Sequence, residues 1–210
     1  EQFPTIQFFR TVPMLSLVRF ARWEEILSEP EPHAPFAFAR AIWHYGRGVA
    51  YAAMENEDAA LNELAAIERL EPEVDEIFMG NVYPAKNLLA IAKSLLRGEI
   101  AFRSGAMAAA VVSFEEAVAM QDALPYTEPP FWYYPTRQSL GAALLADGRA
   151  AEAQLVFEAD LEQYPMNGWS LYGLTEALST QGHTALAEAA RLRFEAVWQF
   201  SDVTLSTSVL

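Results

Sequence analysis

The residues best suited to chemistry crowd into one stretch, Pro125-Tyr126-Thr127-Glu128-Pro129-Pro130-Phe131-Trp132-Tyr133-Tyr134-Pro135, with Arg137 and Gln138 just beyond it. Trp and Tyr combine rigid apolar contact area with a hydrogen-bonding tip. An arginine beside such rings adds a planar cationic fork that suits a carboxylate or a peptide carbonyl. Four aromatics in succession cannot all face the core from one helix, because neighbours one and two apart point in different directions. At least one should therefore line a groove, and Trp132 to Tyr134 with Arg137 is the expected contact surface. The competing reading is packing: the rings fill an irregular junction and Arg137 pairs with Glu99 or Glu128.

Other chemistry has weak support. The histidines, His33, His44 and His183, lack the spacing of a zinc or catalytic pair. His44 follows Trp43 and reads as a packed, hydrogen-bonded side chain; His33, in a proline loop, and His183, after a helix-turn glycine, read as surface residues. No G-x-S-x-G elbow, phosphate loop or G-x-G-x-x-G is present. Glu24-Glu25 and Glu115-Glu116 read as solvated helix faces. The acidic run Glu71, Glu73, Asp75 and Glu76 lacks the glycine and alternating oxygen ligands of a calcium loop. The expectation is no catalytic motif, no metal and no cofactor. A small-molecule or enzyme site around Trp132 to Arg137, drawing in His44, stands as the alternative.

Composition narrows the partners. Apolar residues make up 52% of the 210 residues, enough to bury a core in one elongated domain or two small ones. The formal net charge of -14 repels phosphate backbones and anionic bilayers, so nucleic acid and membrane are not expected partners, and a protein or peptide is. The longest apolar run, Ala106 to Val112, is far short of the roughly 20 residues that span a bilayer. There is no cysteine, so disulfides and thiolate sites are excluded. The compartment stays open, with the cytoplasm favoured.

These candidate residues must be positioned by a repeat. Gly48, Gly98 and Gly141 are each followed twelve residues later by Ala60, Ala110 and Ala153, and sixteen later by Leu64, Phe114 and Phe157. Pro72 and Pro165 close two of the three units. This is the register of a tetratricopeptide (TPR) helix–turn–helix, in which a small residue admits the second helix and an alanine sits at the crossing. The expected fold is all-α, a right-handed TPR-like solenoid of about four helix pairs that starts inside a repeat. Its units are 1–29 (partial, its first helix cut short near Pro13), 34–72, 84–121, 130–165 and a looser 167–200, with a strand-like tail, 201–210. Helices are expected at Phe36 to Met54, Asp58 to Leu70, Ala85 to Phe102, Ala106 to Met120, Trp132 to Ala146 and Ala150 to Tyr164, and Asn167 as an N-cap. The bulky Glu71 to Pro84 connection should pack as a short helix or ordered loop.

Repeat glycines 50, 43 and 32 residues apart (Gly48, Gly98, Gly141, Gly173) exceed the regular period of about 34 in two places, and such insertions often mark a binding face. First-helix positions Tyr45, Val49, Leu95, Glu99, Phe102, Arg103, Gln138, Ala142 and Ser170 should line the groove. The candidate contacts are thus Tyr45, Glu99, Arg103, Trp132, Tyr133, Tyr134, Arg137 and Gln138. The carboxylate clamp of chaperone-binding TPR proteins is missing, since Tyr45, Val49 and Leu96 stand at its positions. The start is unusually apolar: ten large apolar residues, from Phe3 to Phe20, occupy a place where a terminal repeat should be polar. They are expected to meet missing upstream repeats or a second subunit.

Leu17-Val18-Arg19-Phe20-Ala21-Arg22-Trp23, Ala41-Ile42-Trp43-His44-Tyr45, Glu128 to Gly141 and Asn167-Gly168-Trp169 resemble segments of uncharacterised bacterial TPR-containing proteins, in their C-terminal part. The resemblance implies a TPR solenoid within a longer protein and brings no ligand or activity. The expected role is a protein-interaction or scaffold module, binding on its concave face or at its apolar N-terminal end.

Overall fold

The computed structural model describes the backbone of residues 6–74, 77–79 and 81–209, and the side chains of 7–74 and 84–209. The chain divides into two compact units, Glu1–Tyr134 and Pro135–Leu210. The first holds α1 (Ile6–Arg19), α2 (Trp23–Ser28), α3 (Ala37–Ala53), α4 (Glu57–Leu70), β1 (Ile77–Met79), β2 (Asn81–Tyr83), α5 (Ala85–Arg103) and α6 (Met107–Asp122). The second holds α7 (Arg137–Ala146), α8 (Ala150–Gln163), α9 (Gly168–Thr180) and α10 (Thr184–Trp198).

One turn joins the helices of every pair. Ala21, Glu55, Gly105, Gly148 and Gly182 each have positive φ, between 52° and 81°. Beside each, the next amide reaches back five residues to a helix carbonyl, as in Arg22 N to Leu17 O, Asn56 N to Tyr51 O and Arg149 N to Leu144 O. This double closure caps the last carbonyls of the first helix. Five residues beyond each turn lies a buried crossing residue: Ile26, Ala60, Ala110, Ala153 and Ala187, none more than 5% exposed. The α1–α2 segment shares this turn and forms a fifth pair with a short second helix. Pro13 does not stop α1, which runs on to Arg19.

In the first unit α1, α3 and α5 stack side by side. Thr11, Met14, Leu15 and Val18 form one buried stripe of α1, and a Cβ on Gly46 of α3 would stand 2.4 Å from Met14 Sδ. Gly98 admits the Phe114 ring as the register requires, at 2.4 Å from where a Cβ would be. Gly48 differs. Its nearest neighbour is Leu96 of α5, at 2.6 Å, so it serves the stacking of α3 on α5. The long connection after α4 is a one-turn 3₁₀ helix, Glu71–Glu73, followed by an antiparallel hairpin with Phe78 opposite Val82. The β-branched and aromatic Ile77, Phe78, Val82 and Tyr83 favour pairing there, in a connection expected to pack as a short helix or ordered loop. Asp75 and Glu76 lie outside the described residues.

In the second unit the fully buried Phe157 ring of α8 is wedged between α7 and α9, within 2.3 Å of a Cβ position on Gly141 and 2.2 Å of one on Gly173. Asn167 occupies the N-cap position of α9, but its side chain makes no capping bond. Its Nδ2 donates to Asp160 at 2.7 Å, and Ser170 Oγ donates to the same buried carboxylate at 2.5 Å. A hydrogen-bonded acceptor inside α8 outcompetes the local cap. Residues 201–209 of the tail form no strand. They turn back within this unit, burying Leu205 and Ser208. No described helix is long and apolar enough to cross a membrane.

Candidate functional site

Residues 132–136, expected to open a helix, form an irregular segment, and α7 begins only at Arg137. Proline explains the delay: Pro129, Pro130 and Pro135 remove amide donors, and the residue before each is pushed toward extended backbone. The rings are thereby freed from helical spacing and pack over the face made by the first helices α1, α3 and α5.

Trp132, 3% exposed, meets the buried Tyr45 of α3 edge-on, with centroids 5.7 Å apart and planes at 64°. Trp132 to Tyr133 is 5.2 Å and Tyr133 to Tyr134 is 4.8 Å, so the three loop rings form a continuous tilted series. The hydroxyls of Tyr45 and Tyr133 are 3.1 Å apart. The guanidinium carbon of Arg19 in α1 stands 5.4 Å from the Tyr134 ring centroid, a cation–π distance. Gln121 of α6 ties the loop down, its Nε2 donating to the Tyr134 carbonyl at 3.0 Å. On α5, Arg103 Nε donates to Glu99 Oε1 at 2.7 Å, and a shallow cleft of about 140 Å³ opens beside Arg103, lined also by Ala52, Glu55, Glu57, Ile100 and Ser104.

The electrostatics follow from burial. Desolvation first, and neighbouring tyrosines next, hold the Tyr45 phenol well above its usual range, with Glu99 adding to the effect. Tyr133 is raised chiefly by desolvation too, while Arg19 pulls it the other way. Both phenols stay protonated at neutral pH. One hydroxyl donates to the other, so one O–H proton is left over from this pair. Among the described residues the buried indole N–H of Trp132 has no acceptor. Two spare donors thus sit in one ring cluster, and an unmet buried donor is costly unless something completes it.

Of the expected contacts, the fold brings Tyr45, Trp132, Tyr133 and Tyr134 together, with Glu99 close enough to act on both buried phenols. Arg103 stands one turn further along α5. Arg137 and Gln138 belong to the second unit, where Gln138 is fully buried and its carbonyl accepts from Ser208 Oγ at 3.0 Å. Arg19 is the residue the spacing could not supply. It lies 115 positions before Tyr134, and only the stacking of α1 on α3 carries it there.

His44 faces away from this cluster, toward α4. Its Nδ1 is 2.5 Å from Glu63 Oε2, while Arg47 Nε donates to Glu63 Oε1 at 2.8 Å. Arg47 is also sandwiched against Trp43 and Tyr51, 4.5 and 5.3 Å from their centroids. This is a packed, hydrogen-bonded histidine, and it contributes nothing to a site at Trp132.

The paired helices, the repeated turn and the buried crossing residues define a TPR-like helical repeat protein, and its fold is an α-solenoid of that type. Among solved structures, a crystal structure of nearly identical TPR-like repeats, from a Podosopora anserina protein assigned as a kinesin light chain, matches it with a TM-score of 0.54 at 14% identity. The match covers 97% of this chain and 100% of that one, and it is a likeness of fold. No protein-family model and no curated protein matches the sequence.

Proposed function

We propose that this protein is an interaction module whose α1–α3–α5 face captures a peptide or subunit segment by an acidic side chain or backbone carbonyl, seated on Tyr133 and Tyr134 between Arg19 and Arg103. The observation that carries this reading is the Arg19 guanidinium over the Tyr134 ring, beside the Tyr45–Tyr133 hydroxyl pair whose single hydrogen bond leaves one phenol proton over. Trp132 itself is buried and orients the cluster. An apolar stripe extends the surface: Phe9 and Val12 on α1 and Phe20, in the turn just beyond it, are 59%, 45% and 57% exposed. They suit an apolar residue of the same partner, from another subunit or from upstream sequence. Met14, Leu15 and Val18, also expected to need such cover, are already buried on α3; Phe3 lies outside the described residues, as does the Ile6 side chain.

A displayed random-peptide library selected on the intact protein tests the proposal. Enriched peptides should pair an acidic residue with apolar neighbours, and Arg19→Ala or Tyr134→Ala should weaken them about tenfold or more, as expected for a charge-assisted bond. Peptides that bind both folded variants as tightly as the parent protein would refute it.

A further inference from the structure

The tail of the second unit is held as a peptide ligand is held. Residues 203–209 form neither helix nor strand, yet their burial alternates sharply: Leu205 and Ser208 are 8% and 1% exposed, while Thr204, Ser206 and Thr207 face solvent. Side-chain hydrogen bonds fix the segment from outside. The indole Nε1 of Trp198 donates to the Val203 carbonyl at 2.7 Å, and Ser208 Oγ donates to the Gln138 carbonyl at 3.0 Å. The amides of Val203 and Val209 bond within the tail, to the hydroxyls of Ser201 and Thr207, so they contribute no hold on the helices.

The receiving surface is rigid. The Trp198 ring lies against Gly168, where a Cβ would approach it to 2.4 Å. It is clamped edge-on by Trp169 at 5.4 Å and stacked on Phe194 at 5.5 Å. Its N–H is thus aimed before any ligand arrives, which lowers the ordering cost of binding. The segment it accepts is nearly uncharged. Asp202 is the single ionisable side chain in residues 201–210 of a protein whose net charge is -14.

We propose that this end of the second unit, built from Trp198 and the Gln138 carbonyl, is a recognition site for extended, uncharged segments with a leucine followed three residues later by a serine. The chain's own Val203 to Ser208 occupies it in cis and competes with partners of that pattern. Tethering gives the internal segment an effective concentration of about millimolar, enough to keep free peptides out of the unmodified protein.

The test uses the full chain and a fluorescein-labelled peptide, Ser-Asp-Val-Thr-Leu-Ser-Thr-Ser-Val-Leu, followed by anisotropy. Leu205→Asp in the protein should release the tail, seen as faster hydrogen exchange at residues 203–209 with an unchanged far-UV circular dichroism spectrum. The released protein should bind the labelled peptide at least about tenfold tighter than the parent does. The same peptide carrying Leu205→Asp or Ser208→Ala should bind at least about tenfold more weakly. A folded, released protein that fails to bind, or that binds all three peptides alike, overturns the proposal. So does an unchanged exchange rate at the tail. Should Leu205→Asp not fold, Ser208→Ala in the protein, which leaves the leucine and the indole in place, takes its role, and the same results support or overturn the site.

Discussion

The phenol oxygens of Tyr45 and Tyr133 lie 3.1 Å apart, joining α3 to a loop 88 residues further along the chain. Either Tyr→Phe change leaves the other hydroxyl buried without its partner, so each single variant should lose about 1–2 kcal/mol. The double variant should lose less than the sum, with a coupling above about 0.5 kcal/mol in a cycle measured by urea denaturation. Strict additivity would mean the two hydroxyls do not bond.

The same pair governs alkaline behaviour. Both phenols hold their protons more tightly in the folded chain than in the unfolded one. Their contribution is therefore complete below the unfolded value of about 10 and is lost as the pH rises from there through the folded values. The urea midpoint should hold between pH 7 and 9 as far as these groups decide it, then fall above about pH 10. Tyr45→Phe with Tyr133→Phe should flatten that fall.

Glu63 sets the acid side. Burial alone would raise its carboxyl, but the hydrogen bonds from His44 and Arg47 prevail and hold it below the usual range. Its contribution is present above an unfolded value of about 4.3 and is lost as the pH drops through the folded one. Glu63→Gln should cost about 2–3 kcal/mol at pH 7, and the difference from the parent should shrink below about pH 4. A constant difference across that range would contradict the assignment.

The helix crossings give a steric prediction. Ala110 and Ala153 are fully buried, whereas Ala108 is exposed. Ala110→Trp and Ala153→Trp should each cost about 3 kcal/mol or more from over-packing, and Ala108→Trp less than about 0.5 kcal/mol. Thermal midpoints compare the three directly.

The turns give a stabilising one. Ala21 and Glu55 adopt the left-handed conformation, with φ of 52° and 60°, that the other three turns assign to glycine. Ala21→Gly and Glu55→Gly should each relieve steric strain of about 1 kcal/mol, partly offset by the greater freedom of glycine in the unfolded chain. Lower midpoints in both variants would contradict this.

The repeat was legible because its signal is local and periodic: Gly98 with Phe114, and Gly141 with Phe157, meet as their spacing requires. The turn at Glu55 was harder to see, since only conformation and not residue type marks it. The aromatic stretch stands out in the sequence by composition, yet residues 132–136 are not helical, because three prolines outweigh the apolar periodicity that follows them. Arg19 is not legible in the sequence for a different reason. Nothing within one repeat links it to Tyr134, and a side chain brought in by stacking leaves no mark on spacing. Pro13 misled in the opposite sense: the buried stripe from Thr11 to Val18 holds α1 together across the missing amide.

Phe157 touches Gly141 on one side and Gly173 on the other, so a single ring belongs to two helix pairs at once. Neither pair can open without emptying the other's contact. In a repeat protein this is a nearest-neighbour coupling, and it makes loss of order spread and not stay local. The amides of α7, α8 and α9 should therefore exchange with solvent deuterium at one shared rate, as one cooperative block.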